Sequence, residues 1–151
     1  MRPFHLAFTV LAVAGVAACT ATTRQSAGDT PMPQMAPGGT LAQVYYWRAK
    51  PGKLDEYSKY IRELAEPIDH EAQRRGAFLT VTTYVAHDTA SAWTHMRVFI
   101  LRDSAQLKGL SVALDSAGIR LEPDSTKRRV RSAYSATLRD RVGAVTAELL
   151  R

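Results

Sequence analysis

Two runs in the middle of the chain, AFLTVTTYVAH (77–87) and WTHMRVFILR (93–102), alternate in side-chain character along almost their whole length. Period-two alternation is the signature of a strand with two different faces, and the polar DTASA stretch (88–92) joins these two as a hairpin. In the second run Thr94, Met96, Val98 and Ile100 fall on one side, and Trp93, His95, Arg97 and Phe99 on the other. In the first, Leu79, Val81, Thr83 and Val85 oppose Phe78, Thr80, Thr82 and Tyr84. The pattern predicts one mostly aliphatic sheet face, suited to helices. The second face mixes aromatics, hydroxyls, a histidine and an arginine. It is too polar for a dry core and too aromatic for plain surface, so it is expected to cover a ligand or a second subunit.

The flanking segments complete a sheet-and-helix domain. AQVYYWRA (42–49) is β-prone and stops at the turn signal Pro51-Gly52. Leu54, Tyr57, Ile61, Leu64, Ile68 and Ala72 then form one apolar stripe at helical spacing. Asp55 and Glu56 in its first turn, Arg74 and Arg75 in its last and Gly76 beyond match a helix macrodipole and stop. Pro67 lies inside the pattern and predicts a kink. His70 sits between Asp69 and Glu71, but sequence neighbours do not face each other on a helix, so a solvated face is expected there. A second helix begins after Arg102, capped by Asp103 or Ser104, with Gly118 near its end. A third is capped by Asp124 or Ser125 and carries Val130, Tyr134 and Leu138 at helical spacing. Residues 143–151 read either as its continuation or, as the architecture requires, as a closing strand. The resulting order over residues 41–151 is a ferredoxin-like α+β fold, βαββα(α)β, with an antiparallel sheet.

The N-terminus is of a different kind. Residues 1–5 carry Arg2, residues 6–18 hold no ionisable side chain, and the chain's single cysteine follows at Cys19. Thirteen such residues suit a signal-peptide core and are too few to span a bilayer as a helix. Val16-Ala17-Ala18-Cys19 resembles the lipobox of bacterial lipoproteins. That resemblance implies a signal peptide over 1–18, cleavage before Cys19, and fatty-acyl (palmitate-type) modification of its thiol and new amine. Thr20 stands where an aspartate would favour inner-membrane retention, which implies the outer membrane, facing the periplasm. More than one acyl chain is needed for durable anchoring. Residues 20–40, TATTRQSAGDTPMPQMAPGGT, have no apolar period and read with Cys19 as a disordered tether over 19–40, with a reach of about 25 Å.

The formal net charge of +6 favours anionic surfaces. A lipid-anchored chain has such surfaces beside it, so no nucleic-acid partner is required. The basic KRRVR (127–131) reads as a solvated helix face, with lipid headgroups as the alternative contact. One cysteine excludes a disulfide framework and a Cys-rich zinc site. His87 and His95 have no familiar ligand spacing, so no metal site is expected, and no cofactor motif is present. A Gly-rich phosphate loop, Gly-x-Ser-x-Gly and His-Glu-x-x-His are all absent from the sequence.

VYYWRAKPGKLDEY (44–57), an aromatic strand, a Pro-Gly-Lys turn and a helix with an acidic first turn, resembles the dimeric α+β barrel superfamily. Its members include NIPSNAP-like proteins, stress-responsive barrel proteins and antibiotic-biosynthesis-type monooxygenases. The order of elements supports the likeness across residues 42–110. The additional helix after Gly118 departs from it. The resemblance implies a homodimer whose two sheets meet face to face, the mixed faces lining a barrel. On that reading Thr80, Thr82, Tyr84, Trp93, His95, Arg97 and Phe99 come together, with Tyr45 and Trp47 from the first strand. Arg97 would pair with a ligand carboxylate or phosphate, His95 would transfer protons near neutral pH, and the rings would stack on a small apolar or aromatic molecule. Two roles follow: a homodimeric binding or structural module, or a cofactor-free or haem-handling monooxygenase-like enzyme. The superfamily hosts both, and the catalytic residues stay open.

Overall fold

The computed structural model describes residues 38–88 and 90–149. The signal segment, Cys19 and the tether up to residue 37 lie outside the described residues. Thr40 is already tied to the domain: its N–H donates to the Leu101 carbonyl and its own carbonyl accepts from Leu149.

Four antiparallel strands form one sheet in the order β2-β3-β1-β4. β1 is Leu41–Ala49, β2 Thr80–Val85, β3 His95–Leu101 and β4 Arg139–Glu148. The last segment is therefore a strand, and it begins four residues before Gly143, where the sequence had placed the break. β1 is central because Gln43 lies opposite both Phe99 of β3 and Thr146 of β4. A register shift between Tyr46 and Trp47 leaves Val142 without an opposite residue, as a bulge does. The helices are α1 (Leu54–Tyr60), α2 (Glu66–Arg74), α3 (Ser104–Leu121) and α4 (Ser125–Leu138). With this connectivity and strand order the fold is ferredoxin-like α+β, plus one extra helix before the last strand.

Local chemistry explains the boundaries. Gly52 at φ +72° makes the turn between β1 and α1, and Gly76 at φ +79° closes α2, both in the left-handed region open to glycine. Asp103 caps α3 by accepting from the N–H groups of Ala105 and Gln106, and Asp124 caps α4 from Thr126 and Lys127. The kink expected at Pro67 takes a definite form. Ile61–Ala65 is a π-helical turn, with the Glu66 N–H reaching five residues back to the Ile61 carbonyl. Proline has no N–H to give to the helix ladder, so Pro67 fits only in the first turn of a restarted helix.

The sheet faces combine the two strands differently from the expectation: β2 turns Val81, Thr83 and Val85 to the same side as Phe99, Arg97 and His95 of β3. Phe99 and Leu101 pack with Ala72 of α2 and Leu110 and Ala117 of α3, so the helices cover the face that carries His95, Arg97 and Phe99. Each of these large apolar side chains contributes about 1.5–3 kcal/mol by leaving water. Ala42, Val44, Met96, Val98 and Ile100 form a separate buried cluster with Tyr46, Leu79, Tyr84, Trp93 and Ala147. Among the described residues no helix side chain joins it. A third cluster, Ala49, Tyr57, Ile61 and Leu138, seats α1 and the end of α4 on β1.

The third helix also turns differently from its pattern. Leu138 is fully buried, but Val130 and Tyr134 are 65% and 40% exposed. The apolar stripe holds α4 only at its C-terminal end. Leu54 and Leu64 of the first helical stripe are likewise exposed, while Tyr57, Ile61 and Ala72 anchor it.

Candidate functional site

Between the sheet and the helices lies a cleft of about 580 Å3. Ile68, Leu114 and Ile119 supply apolar walls from α2 and α3. Arg97 rises from β3, and Arg128, Arg131, Ser132 and Ser135 come from α4, with Arg139 at the start of β4. These α4 positions follow one another at three- and four-residue steps, so they share a helix face. That face is basic and hydroxylic, and it is the one turned inward. Gly118 of α3 also borders the cleft; a Cβ there would sit 3.5 Å from Arg131 Nη2 and 3.8 Å from Ile68 Cδ1. The missing side chain keeps the space open.

Arg97 and Asp69 form a buried ion pair at the cleft wall, Arg97 donating through Nη2 to Oδ2. The Arg97 Nε is buried with no hydrogen-bond partner. Burial lowers the pKa of Arg97, and the Arg139 charge adds to the effect. Arg139 lies flat over Trp47, 3.3 Å from the ring centroid, and its Nε donates to Ser135 Oγ at 3.0 Å. Its pKa is also lowered, first by burial. A smaller cleft of about 230 Å3, bordered by Trp47, Ser132, Ser135, Ala136 and Arg139, shares three residues with the large one.

His95 has a different setting from the one expected of a proton shuttle. It is fully buried against the Tyr57 ring at 4.4 Å, with Nε2 3.0 Å from Ser58 Oγ and Nδ1 3.0 Å from Thr94 Oγ1. Ser58 gives its own proton to the Leu54 carbonyl, so it accepts from His95 Nε2–H; the single Thr94 hydroxyl proton is then shared between Nδ1 at 3.0 Å and the Trp47 carbonyl at 3.3 Å. Burial pushes the imidazole down to about 4, so it is neutral at pH 7 and cannot cycle protons there. The Tyr57 hydroxyl is pushed up to about 12, chiefly by burial.

The sequence-derived set is therefore divided. Trp47, His95, Arg97 and Phe99, with Tyr45, lie on the helix-covered face, where Phe99 packs edge-on to Phe78 at 5.0 Å as part of the core. Thr80, Thr82 and Tyr84 stand opposite Ile100, Val98 and Met96, on the aliphatic face. Trp93 joins them, 6.0 Å from the Tyr46 ring. It leaves the alternation where the ladder is irregular: Trp47 is paired with His95, yet its carbonyl also takes the Thr94 N–H. Of the expected residues, only Arg97 borders the large cleft.

The reading around His70 also changes. His70 is exposed, but Asp69 and Glu71 are buried. Glu71 accepts from Arg74, Arg75 and Arg120, and those bonds, Arg75 first, hold its carboxyl down to about 2. The basic 127–131 segment divides as well: Lys127 and Arg129 are exposed, whereas Arg128 and Arg131 line the cleft. The signal for this was legible in the spacing of Arg128, Arg131, Ser135 and Arg139, which the apolar stripe overshadowed.

Fold and site together define a ferredoxin-like α+β domain with an arginine-lined cleft between sheet and helices. Three solved structures are similar in fold. HapK from Hahella chejuensis has a TM-score of 0.48 at 14% identity, over 73% of this chain and 92% of its own. PA3566 from Pseudomonas aeruginosa has 0.43 at 18%, over 79% and 98%. A dimeric protein of unknown function and ferredoxin-like fold from Bacteroides fragilis has 0.45 at 10%, over 74% and 97%. No protein-family model and no curated protein matches the chain.

Proposed function

We propose that this chain is a lipid-anchored envelope protein whose folded domain is a homodimeric binding module, with a small molecule held in the cleft between sheet and helices. The observation that carries the binding reading is the cleft itself: about 580 Å3, apolar on the side of Ile68, Leu114 and Ile119 and lined by guanidiniums on the other. Concave sites with an apolar wall and a few converging polar groups are the usual form of a small-molecule pocket. The anchor rests on the Val16-Ala17-Ala18-Cys19 motif. The dimer rests on the resemblance of residues 44–57 to the dimeric α+β barrel superfamily and on the exposed Thr82 and Val145, which stand opposite Val98 and Val44 on the aliphatic face.

Native mass spectrometry of the full chain, released gently from detergent, tests the binding reading. The expected result is a particle of twice the chain mass with additional bound mass. Gly118→Leu sends a side chain into the cleft and is expected to remove the extra mass while leaving the fold intact. Extra mass that survives Gly118→Leu, or none in the parent protein, argues against this cleft as the site.

A further inference from the structure

The cleft holds more positive charge than it neutralises. Four guanidiniums border it, those of Arg97, Arg128, Arg131 and Arg139, against the carboxylates of Asp69 and Asp115. Asp69 is committed to Arg97. Asp115 is exposed at the rim. Among the described residues neither Asp115 nor Arg128, Arg131 or Arg139 makes an ion pair. Arg128 spends Nη1 on the carbonyls of Glu122 and Pro123, which leaves Arg131 and Arg139 as the uncommitted pair. Arg139 is held in place by stacking on Trp47 and by the Ser135 hydroxyl, so its terminal nitrogens are positioned before any ligand arrives. Removing guanidiniums from water is unfavourable unless an anion compensates them, and a carboxylate or phosphate meets the guanidinium fork with paired hydrogen bonds. The buried Nε of Arg97 is one more donor without an acceptor.

Resting on the reading of the cleft as a small-molecule site, we propose that its ligand carries an oxyanion, a carboxylate or a phosphate monoester, on an apolar body, and that Arg139 and Arg131 grip the anion. The apolar body lies against Ile68, Leu114 and Ile119. Asp69 does not repel it, because its charge is already paired. Asp115 at the rim selects against ligands with a second anion at the mouth.

Calorimetric titration of the full chain in detergent with benzoate, phenyl phosphate and benzyl alcohol tests the assignment. The expected result is binding of at least one anion about tenfold or more tighter than the neutral alcohol, weakening as salt is raised. Arg139→Gln is expected to weaken anion binding about tenfold or more and to leave the alcohol unchanged. Arg131→Gln, at a residue that makes no ion pair among the described residues, is expected to act in the same direction. Benzyl alcohol bound as well as the anions, or anion binding unchanged in both variants, overturns the oxyanion assignment and leaves the pocket standing. Failure of all three probes to bind at about 10 mM overturns both.

Discussion

Arg97 of β3 and Asp69 of α2 form a buried ion pair, with only 13% and 4% of their side-chain surfaces exposed. The pair ties the centre of the sheet to the helix layer at the wall of the cleft. Removing one partner of such a pair strands the other charge in a poorly hydrated place, which costs about 3–5 kcal/mol. Asp69→Asn is expected to lower stability by about that amount in urea unfolding. The double variant Arg97→Met with Asp69→Leu should recover most of the loss, since two apolar groups leave no stranded charge. Equal stability of the single variant and the parent would show that the pair does not hold α2 on the sheet.

His95 makes stability depend on pH in a defined window. Its folded pKa, about 4, lies below the ordinary value of 6.5, because burial disfavours the charged ring. Between these values the unfolded chain binds a proton that the folded one refuses, so stability rises with pH. The contribution is complete above pH 6.5 and is lost as pH falls toward 4, a change of about 3 kcal/mol. His95→Gln is expected to flatten that slope in unfolding curves taken from pH 7 to 4. NMR of the parent should show an imidazole with no titration above pH 5.5. A ring that titrates near 6.5 would contradict the buried, twofold hydrogen-bonded setting.

The aliphatic sheet face gives a test of the dimer that spares the core. Thr82 stands opposite Val98 and is exposed, and Val145 of β4 is 51% exposed. Charges there meet solvent in one copy and desolvate against another. Thr82→Lys with Val145→Glu is expected to shift light-scattering mass from dimer to monomer at micromolar concentration, with a thermal midpoint within a few degrees of the parent. A dimer that persists would place the contact elsewhere.

Cys19→Ser removes the thiol that would carry the lipid. It is expected to move the protein from the membrane fraction to the soluble envelope fraction and to abolish incorporation of a labelled fatty acid. Two or more acyl chains anchor durably, so the partition should change by orders of magnitude and not by a small factor. Unchanged partition would remove the lipoprotein reading without touching the fold.

The order of elements was legible because each boundary has local chemistry. Pro51-Gly52 and Gly76 mark the ends of β1 and α2, and Asp103 and Asp124 cap the two later helices. The alternation separated the two sides within each of 79–85 and 95–101 but joined them across the strands the wrong way: Thr80, Thr82 and Tyr84 stand with Ile100, Val98 and Met96 and not with His95, Arg97 and Phe99. Which face lies under the helices was not legible. Parity divides a strand's side chains into two sets, but the side on which the chain crosses over is set by loops and by the fit of whole layers. Here β3 places Phe99 and Leu101 toward Ala72, Leu110 and Ala117, and that decision carries Arg97 and His95 under the helices with them.

The cleft belongs to the same tertiary decision. Arg128 and Arg131 read as surface cations in the basic stretch 127–131, and charge runs on helices usually face water. α4 buries Leu138 and Ser135 near its far end and rests on α1 through the Tyr60–Tyr134 contact at 5.9 Å and the Tyr134 hydroxyl, which donates to Glu56. That placement turns Val130 outward and the arginines inward. Neighbours along the chain were enough to read the first three strands, the helices and the turns, but the last strand, Arg139–Glu148, was readable only through the architecture it completes. What the strands and helices face was set by the packed fold, because that depends on residues more than a hundred positions apart, such as Gln43 and Thr146.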